Sequence, residues 1–199
     1  MSNVIAGTAG DQFKTFTSHP TGMQLGQEMK FIDGRRFRLA KAGAVAVVVA
    51  KLYQAAIPEA NHVLKTPTAA AVGDRTVTVA LGATAAAEDR YRDGYLVIDL
   101  ATNTGFGHMY QVGPHKAIAS SGSFVVPLRS PVQVAISAQA SSVSLVPNNY
   151  AGVILAIATT PTAVLAGVGV KPIPISEFGW IQVAGNCMCL TETNGAVAV

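Results

Sequence analysis

The sequence is short of charge. Only 13% of its 199 residues are Asp, Glu, Lys or Arg, and from Ala117 to Val199 the only four are Arg129, Lys171, Glu177 and Glu192. A monomer that stays free in solution keeps its surface wet with interspersed charges. A charge-starved half is therefore expected to be covered, by copies of itself or by another protein. Cysteine is also scarce. Cys187 and Cys189 are the only two, which excludes a disulfide scaffold. On a strand such a pair points both sulfurs to one face, with Cα atoms roughly 6.5–7 Å apart, at or beyond disulfide reach. No His or third Cys lies nearby in sequence, so the pair reads as two buried small thiols rather than half a metal site. No metal and no cofactor is expected.

Long hydrophobic runs are missing too. Ala42 to Ala50 is apolar, but it is nine residues long and too short to span a bilayer. Ala151 to Val170 is twenty residues without a charge, yet Thr159-Thr160-Pro161-Thr162 sits at its centre and Gly167 and Gly169 near its end. That pattern reads as a turn between two strands, so no membrane partner is expected. Met-Ser-Asn-Val-Ile-Ala-Gly at the start lacks the basic and apolar regions of a signal peptide, and a cytoplasmic site of synthesis is expected.

The motifs of common enzymes do not occur. There is no phosphate-binding Gly-x-x-x-x-Gly-Lys-Ser/Thr, and Gly105-Phe106-Gly107 lacks the third glycine of a dinucleotide fingerprint. No Gly-x-Ser-x-Gly nucleophile elbow is present. The histidines are His19, His62, His108 and His115. His108 and His115 could join Asp93 or Asp99 in a metal or acid–base cluster, but the spacing fixes no such geometry, and ordinary hydrogen-bonded histidines are expected. Asp89 and Asp93 read as a helix end and a turn. The chain is not expected to be an enzyme, and no catalytic residue is assigned.

What is abundant is Ala, Val, Gly, Thr and Ser, the composition of β-structure with small side chains and tight turns. The expected fold is mainly β: a compact antiparallel sandwich or barrel body over residues 42–199, an extended N-terminal arm over residues 1–41, and at most one or two short helices. Strands are expected at 75–81, 94–100, 106–112, 124–128, 133–137, 142–146, 152–158, 163–170, 179–183 and 188–191. The segments 94–100 and 106–112 form a hairpin. Ala42 to Tyr53 reads as a buried strand or a short helix, with the Val45–Val49 run favouring strand. Ala83 to Arg92 is the best candidate helix, capped by Thr84.

The arm has recurrent glycines and spaced apolar residues, which suits a strap lying in a partner's groove. It is also where the positive charge resides. Residues 1–51 hold seven Lys or Arg against three acids, whereas residues 52–199 hold seven against eight. A basic arm seeks nucleic acid or an acidic protein surface. Arg36-Phe37-Arg38 is the only aromatic-interleaved basic fragment, too little for stacking on single strands, so a protein partner is expected and nucleic acid is not. Phe13, Phe16, Phe31 and Phe37 are the candidate groove-filling residues; Arg35, Arg36, Arg38 and Lys41 are the candidate partners of carboxylates. Trp180 is the only tryptophan, on one strand face with Phe178. It serves a core or an interface, and with Phe178 and Tyr150 it makes up the candidate oligomer interface.

Several stretches in order resemble tailed-bacteriophage capsid decoration, or cement, proteins. They are Asp-Gly-Arg-Arg-Phe-Arg-Leu-Ala-Lys-Ala-Gly-Ala (33–44), Gly-Tyr-Leu-Val-Ile-Asp (94–99), Met-Tyr-Gln-Val-Gly-Pro-His (109–115), Val-Pro-Leu-Arg-Ser-Pro-Val (126–132), Val-Ser-Leu-Val-Pro-Asn-Asn-Tyr-Ala-Gly-Val (143–153) and Phe-Gly-Trp-Ile-Gln-Val-Ala-Gly (178–185). The likeness covers about residues 24–190. It implies a β-rich body, commonly a homotrimer, bound to the major capsid protein on the outside of the virion shell and reinforcing it. It transfers no catalytic residue. A head fibre or receptor-binding module on the virion surface is the alternative.

Overall fold

The computed structural model describes residues 4–99, 105–138, 141–156 and 162–190, and the backbone of 196–198. The protein is mainly β, as expected. In chain order the strands are β1 (Ile5–Ala6), β2 (Thr15–Phe16), β3 (Glu28–Lys30), β4 (Arg36–Ala42), β5 (Leu52–Gln54), β6 (Thr76–Ala80), β7 (Tyr95–Ile98) and β8 (Met109–Gln111). They continue with β9 (Ser123–Pro127), β10 (Val143–Val146), β11 (Ala151–Leu155), β12 (Leu165–Gly169), β13 (Phe178–Ala184), β14 (Met188–Leu190) and β15 (Ala196–Ala198). Helical structure among the described residues is limited to single 3₁₀ turns at Asp11–Phe13 and Ala60–His62.

The chain forms two compact units. One comprises residues 1–57 and 149–199, and the other is the continuous segment 58–148. In the first, the order β4-β11-β5-β12-β13 closes through a β13–β4 pairing into a five-stranded barrel. The β4–β11 pair is parallel and the remaining four are antiparallel. A ring of so few strands leaves little interior space. It is filled by Ala40 and Ala42 of β4, Val153, Ala166, Ile181 and a single large ring, Tyr53. The small side chains of Ala40, Ala42 and Ala166 fit that limited interior.

Residues 4–35 do not form a separate arm. Both faces of β4 are buried. Ala40 and Ala42 point into the barrel, while Phe37 and Leu39 enter an outer cluster with Met29, Phe31, Phe178 and Trp180. β1 and β3 lie beyond one edge of β4, and β2 pairs with the start of β13. Apart from Phe13, the spaced apolar anchors of the N-terminal segment cover the chain's own barrel rather than a partner's groove. An arm was expected because its strands are two or three residues long, too short for a period to register in sequence.

In the second unit each strand places alternate residues in one core: Val77 and Val79, Leu96 and Ile98, Tyr110 and Val112, Phe124 and Val126, Val143 and Leu145. The expected hairpin is present, with Tyr95 opposite Gln111 in β7 and β8. β10 pairs with β7, and β6 with β9. Single bridges continue the ladder: Val112 to Leu128, Pro67 to Val79 and Lys65 to Val143. The pairings return to their starting strand and leave no long open edge.

Three expected elements differ. Val45–Val49 is a loop, because Val47 bridges Ile173 and the Tyr53 hydroxyl takes the Val48 N–H at 2.6 Å. Ala83–Arg92 is not a helix. Thr84 spends its hydroxyl on Glu59 and Asn61 instead of a cap, Ala86 bridges Ile118, and Asp89 and Asp93 adopt φ of 57° and 61°. Residues 133–137 make one bridge, Ile136 to Ala70, and no strand. The turn expected at 159–162 and most of the 101–105 loop lie outside the described residues. No helix among the described residues is long and apolar enough to cross a membrane.

Candidate functional site

The basic residues singled out in sequence collect on the β3–β4 hairpin. Glu28 stands opposite Arg38, Met29 opposite Phe37, and Lys30 opposite Arg36. The turn between them is set by Gly34, at φ 89°, and by the Phe31 N–H donating to the Arg35 carbonyl at 2.9 Å. Asp33 accepts from the Arg35 backbone N–H at 3.0 Å and from its Nε at 2.7 Å. These bonds hold the Asp33 carboxyl below the usual carboxylate range.

The four candidate cations are not equally available. Arg35 is engaged with Asp33 and lies over the Phe31 and Phe37 rings at 5.1 and 5.8 Å. Arg38 donates to the Gly26 carbonyl at 2.6 Å and to Glu28 at 2.8 Å. Lys41 sits over the Phe178 ring at 5.6 Å. Arg36 reaches Glu28 only at 4.0 Å and keeps about half of its side chain in solvent. Lys30, which the sequence reading passed over, is exposed beside it.

The candidate groove-filling rings divide similarly. Phe31 and Phe37 are buried in the outer cluster and Phe16 packs against it. Only Phe13 is exposed, at 47%. Trp180 and Phe178, candidates for an oligomer interface, are interior residues of the same cluster, with Trp180 at 3% exposure, which is the core role that the sequence also allowed for Trp180. Tyr150 is half-buried against both clusters. Large rings with few polar atoms stabilise most when fully buried, and a barrel of small residues needs them for its outer layer. The exposed residue that sequence reasoning missed is Ile32 at the hairpin tip, at 106% exposure. Its signal was an aliphatic residue immediately before Asp-Gly, where turns favour polar side chains.

A second apolar surface borders the Val47–Ile173 bridge. Val45, Val48, Val49 and Ile175 are all exposed there. Between β12 and β13, beyond the Val168–Gln182 pair, a cleft of about 520 Å³ opens, lined by Leu52, Tyr150, Leu165, Val183 and Cys187 and by no charged side chain. Cys187 and Cys189 are partly exposed rather than buried, and burial with the nearby Cys189 pushes the Cys187 thiol up.

The histidine and aspartate candidates are not brought together. His115 accepts the Tyr91 backbone N–H on Nε2 at 3.0 Å and donates Nδ1–H to the Lys116 carbonyl at 2.8 Å. Its own backbone N–H goes to Asp89 at 2.9 Å. Both ring nitrogens are therefore committed to the backbone, which is a structural role. Asp93 pairs with Arg129 at 2.6 Å, Asp99 with the Ser144 hydroxyl, and His108 lies beside Tyr110. No group of three metal-ligating side chains occurs among the described residues. Comparison with family models, curated proteins and solved structures finds no match to this chain.

Proposed function

We propose that this chain is a structural virion protein of the capsid decoration, or cement, type, which binds the outside of a tailed-phage shell and stabilises it without catalysing a reaction. The resemblance over about residues 24–190 motivates this reading. The structural observation that supports it most is the exposed aliphatic surface of Val45, Val48, Val49 and Ile175 on the barrel unit. Exposed aliphatic side chains flanking one bridge favour association where they form a contiguous surface. This surface suits self-association as a homotrimer, and the basic β3–β4 hairpin suits an acidic shell subunit. Many such sites repeated on a lattice bind by avidity even when each is weak.

The experiment is reconstitution. Expanded shells lacking this protein are mixed with increasing amounts of the purified chain, and bound protein and shell melting are measured. The reading predicts saturation at a fixed ratio to the shell protein and a higher shell melting temperature. Shells that neither bind the chain nor melt later would contradict it. Native mass spectrometry of the free chain tests the trimer.

A further inference from the structure

We propose that the tip of the β3–β4 hairpin is the docking element: Ile32 enters an apolar socket on a protein partner, and Lys30 and Arg36 meet carboxylates on its rim. The partner's identity as the shell subunit rests on the reading above. Two independent observations carry the proposal. First, Ile32 is the most exposed large apolar side chain among the described residues, and it is presented on a fixed turn. Gly34 supplies the left-handed residue, Gly34 N–H donates to the Phe31 carbonyl at 3.1 Å, and Asp33 holds Arg35. Beneath it, Phe31 is locked in the outer cluster. Because the turn is already ordered, little backbone freedom is left to lose on binding.

Second, Lys30 and Arg36 face each other directly on neighbouring strands. Like charges in that position destabilise a sheet. No carboxylate among the described residues lies within ion-pair distance of the Lys30 amine, and the Glu28 carboxylate is closer to Arg38 than to Arg36. Among the described residues the opposed pair is offset only by the 4.0 Å contact of Arg36 with a Glu28 already shared with Arg38, and a partner carrying carboxylates beside an apolar socket would complete the compensation. The uncharged cleft between β12 and β13 of a second copy offers the socket without the acids, which favours a different protein over self-docking.

The test uses the full-length chain in shell co-sedimentation, with Ile32→Ser, Ile32→Val, a Lys30→Glu/Arg36→Glu double variant, and Val125→Ser as a control at an exposed strand position of the other unit. Because Ile32 is fully exposed, its variants are expected to melt with the wild type. Ile32→Ser should bind shells about ten- to a hundredfold more weakly, while Ile32→Val and Val125→Ser bind normally. The double reversal should bind weakly, and wild-type binding should fall with added salt. Wild-type binding that Ile32→Ser leaves intact overturns the hairpin proposal alone. Failure of the wild type to bind shells overturns both this proposal and the decoration reading. Ile32-dependent binding to phosphatidylglycerol vesicles or to an oligo-dT strand, or loss of an oligomer of the free chain in Ile32→Ser, would assign the tip to a different occupant and overturn it as well.

Discussion

Tyr91 is held at both ends by histidines: its hydroxyl donates to Nδ1 of His62, and its backbone N–H to Nε2 of His115. Burial pushes the Tyr91 phenol up to about 12, so it remains a donor throughout the neutral range. Tyr91→Phe leaves the His62 nitrogen buried without its donor. It should cost about 1–3 kcal/mol, read by urea unfolding; an unchanged midpoint would remove this bond from the account. Asp89 is governed by opposing effects. Burial raises its carboxyl, but the His115 N–H at 2.9 Å and Arg92 at 3.0 Å outweigh it and leave it lowered. A carboxyl lowered by folding contributes stability that is complete above the ordinary carboxylate range and lost as pH falls through the folded value. Asp89→Asn tolerates the left-handed backbone. It should lower the melting temperature at pH 7 and flatten its decline below about pH 4. Parallel melting curves against pH for the two proteins would contradict this.

At the scale of elements, the N-terminal strands are part of the fold. Removing residues 1–35 would uncover Phe37, Leu39, Phe178 and Trp180, which the outer cluster buries. The loss should approach or exceed the roughly 5–15 kcal/mol that stabilises a typical domain, giving a chain that binds a hydrophobic dye and melts without cooperativity in its barrel unit. A truncated protein with wild-type melting would restore the free arm. In the other unit, a Cβ on Gly94 would collide with the Val146 carbonyl and approach the Asn148 nitrogen to 2.9 Å. Gly94→Ala should cost about 1–3 kcal/mol, again read by urea unfolding. Much at this scale was legible in sequence. Period-two alternation marked β6 and the Arg36–Leu39 part of β4, which bury Val77 with Val79 and Phe37 with Leu39. It could not say what covers such a row, so Phe31 and Phe37 were assigned to a partner when the chain covers them itself. Alanine propensity suggested a helix at 83–92, but tertiary bonds to Thr84, Ala86 and Asp89 override it. The valine run at 45–49 has strand composition, yet the Tyr53 hydroxyl and the Ile173 bridge hold it as a loop. Ile32 was visible as a residue, but its exposure depends on the geometry of the turn.

At the scale of the whole molecule, residues 58–148 are continuous and carry a core of their own. Expressed alone, that segment should fold and unfold cooperatively in urea; a non-cooperative transition would mean that it depends on the rest of the chain. The proposed role, association at many equivalent sites on a shell, is the central claim, and the charge-poor composition and the exposed aliphatic side chains of the barrel unit motivate it. Quantitative mass spectrometry of virions purified from the source tests it most directly, by comparing the copy number of this 20.5 kDa chain with that of the major shell protein. The account predicts copies on the scale of the shell protein itself, and absence of the chain from the particle would contradict it.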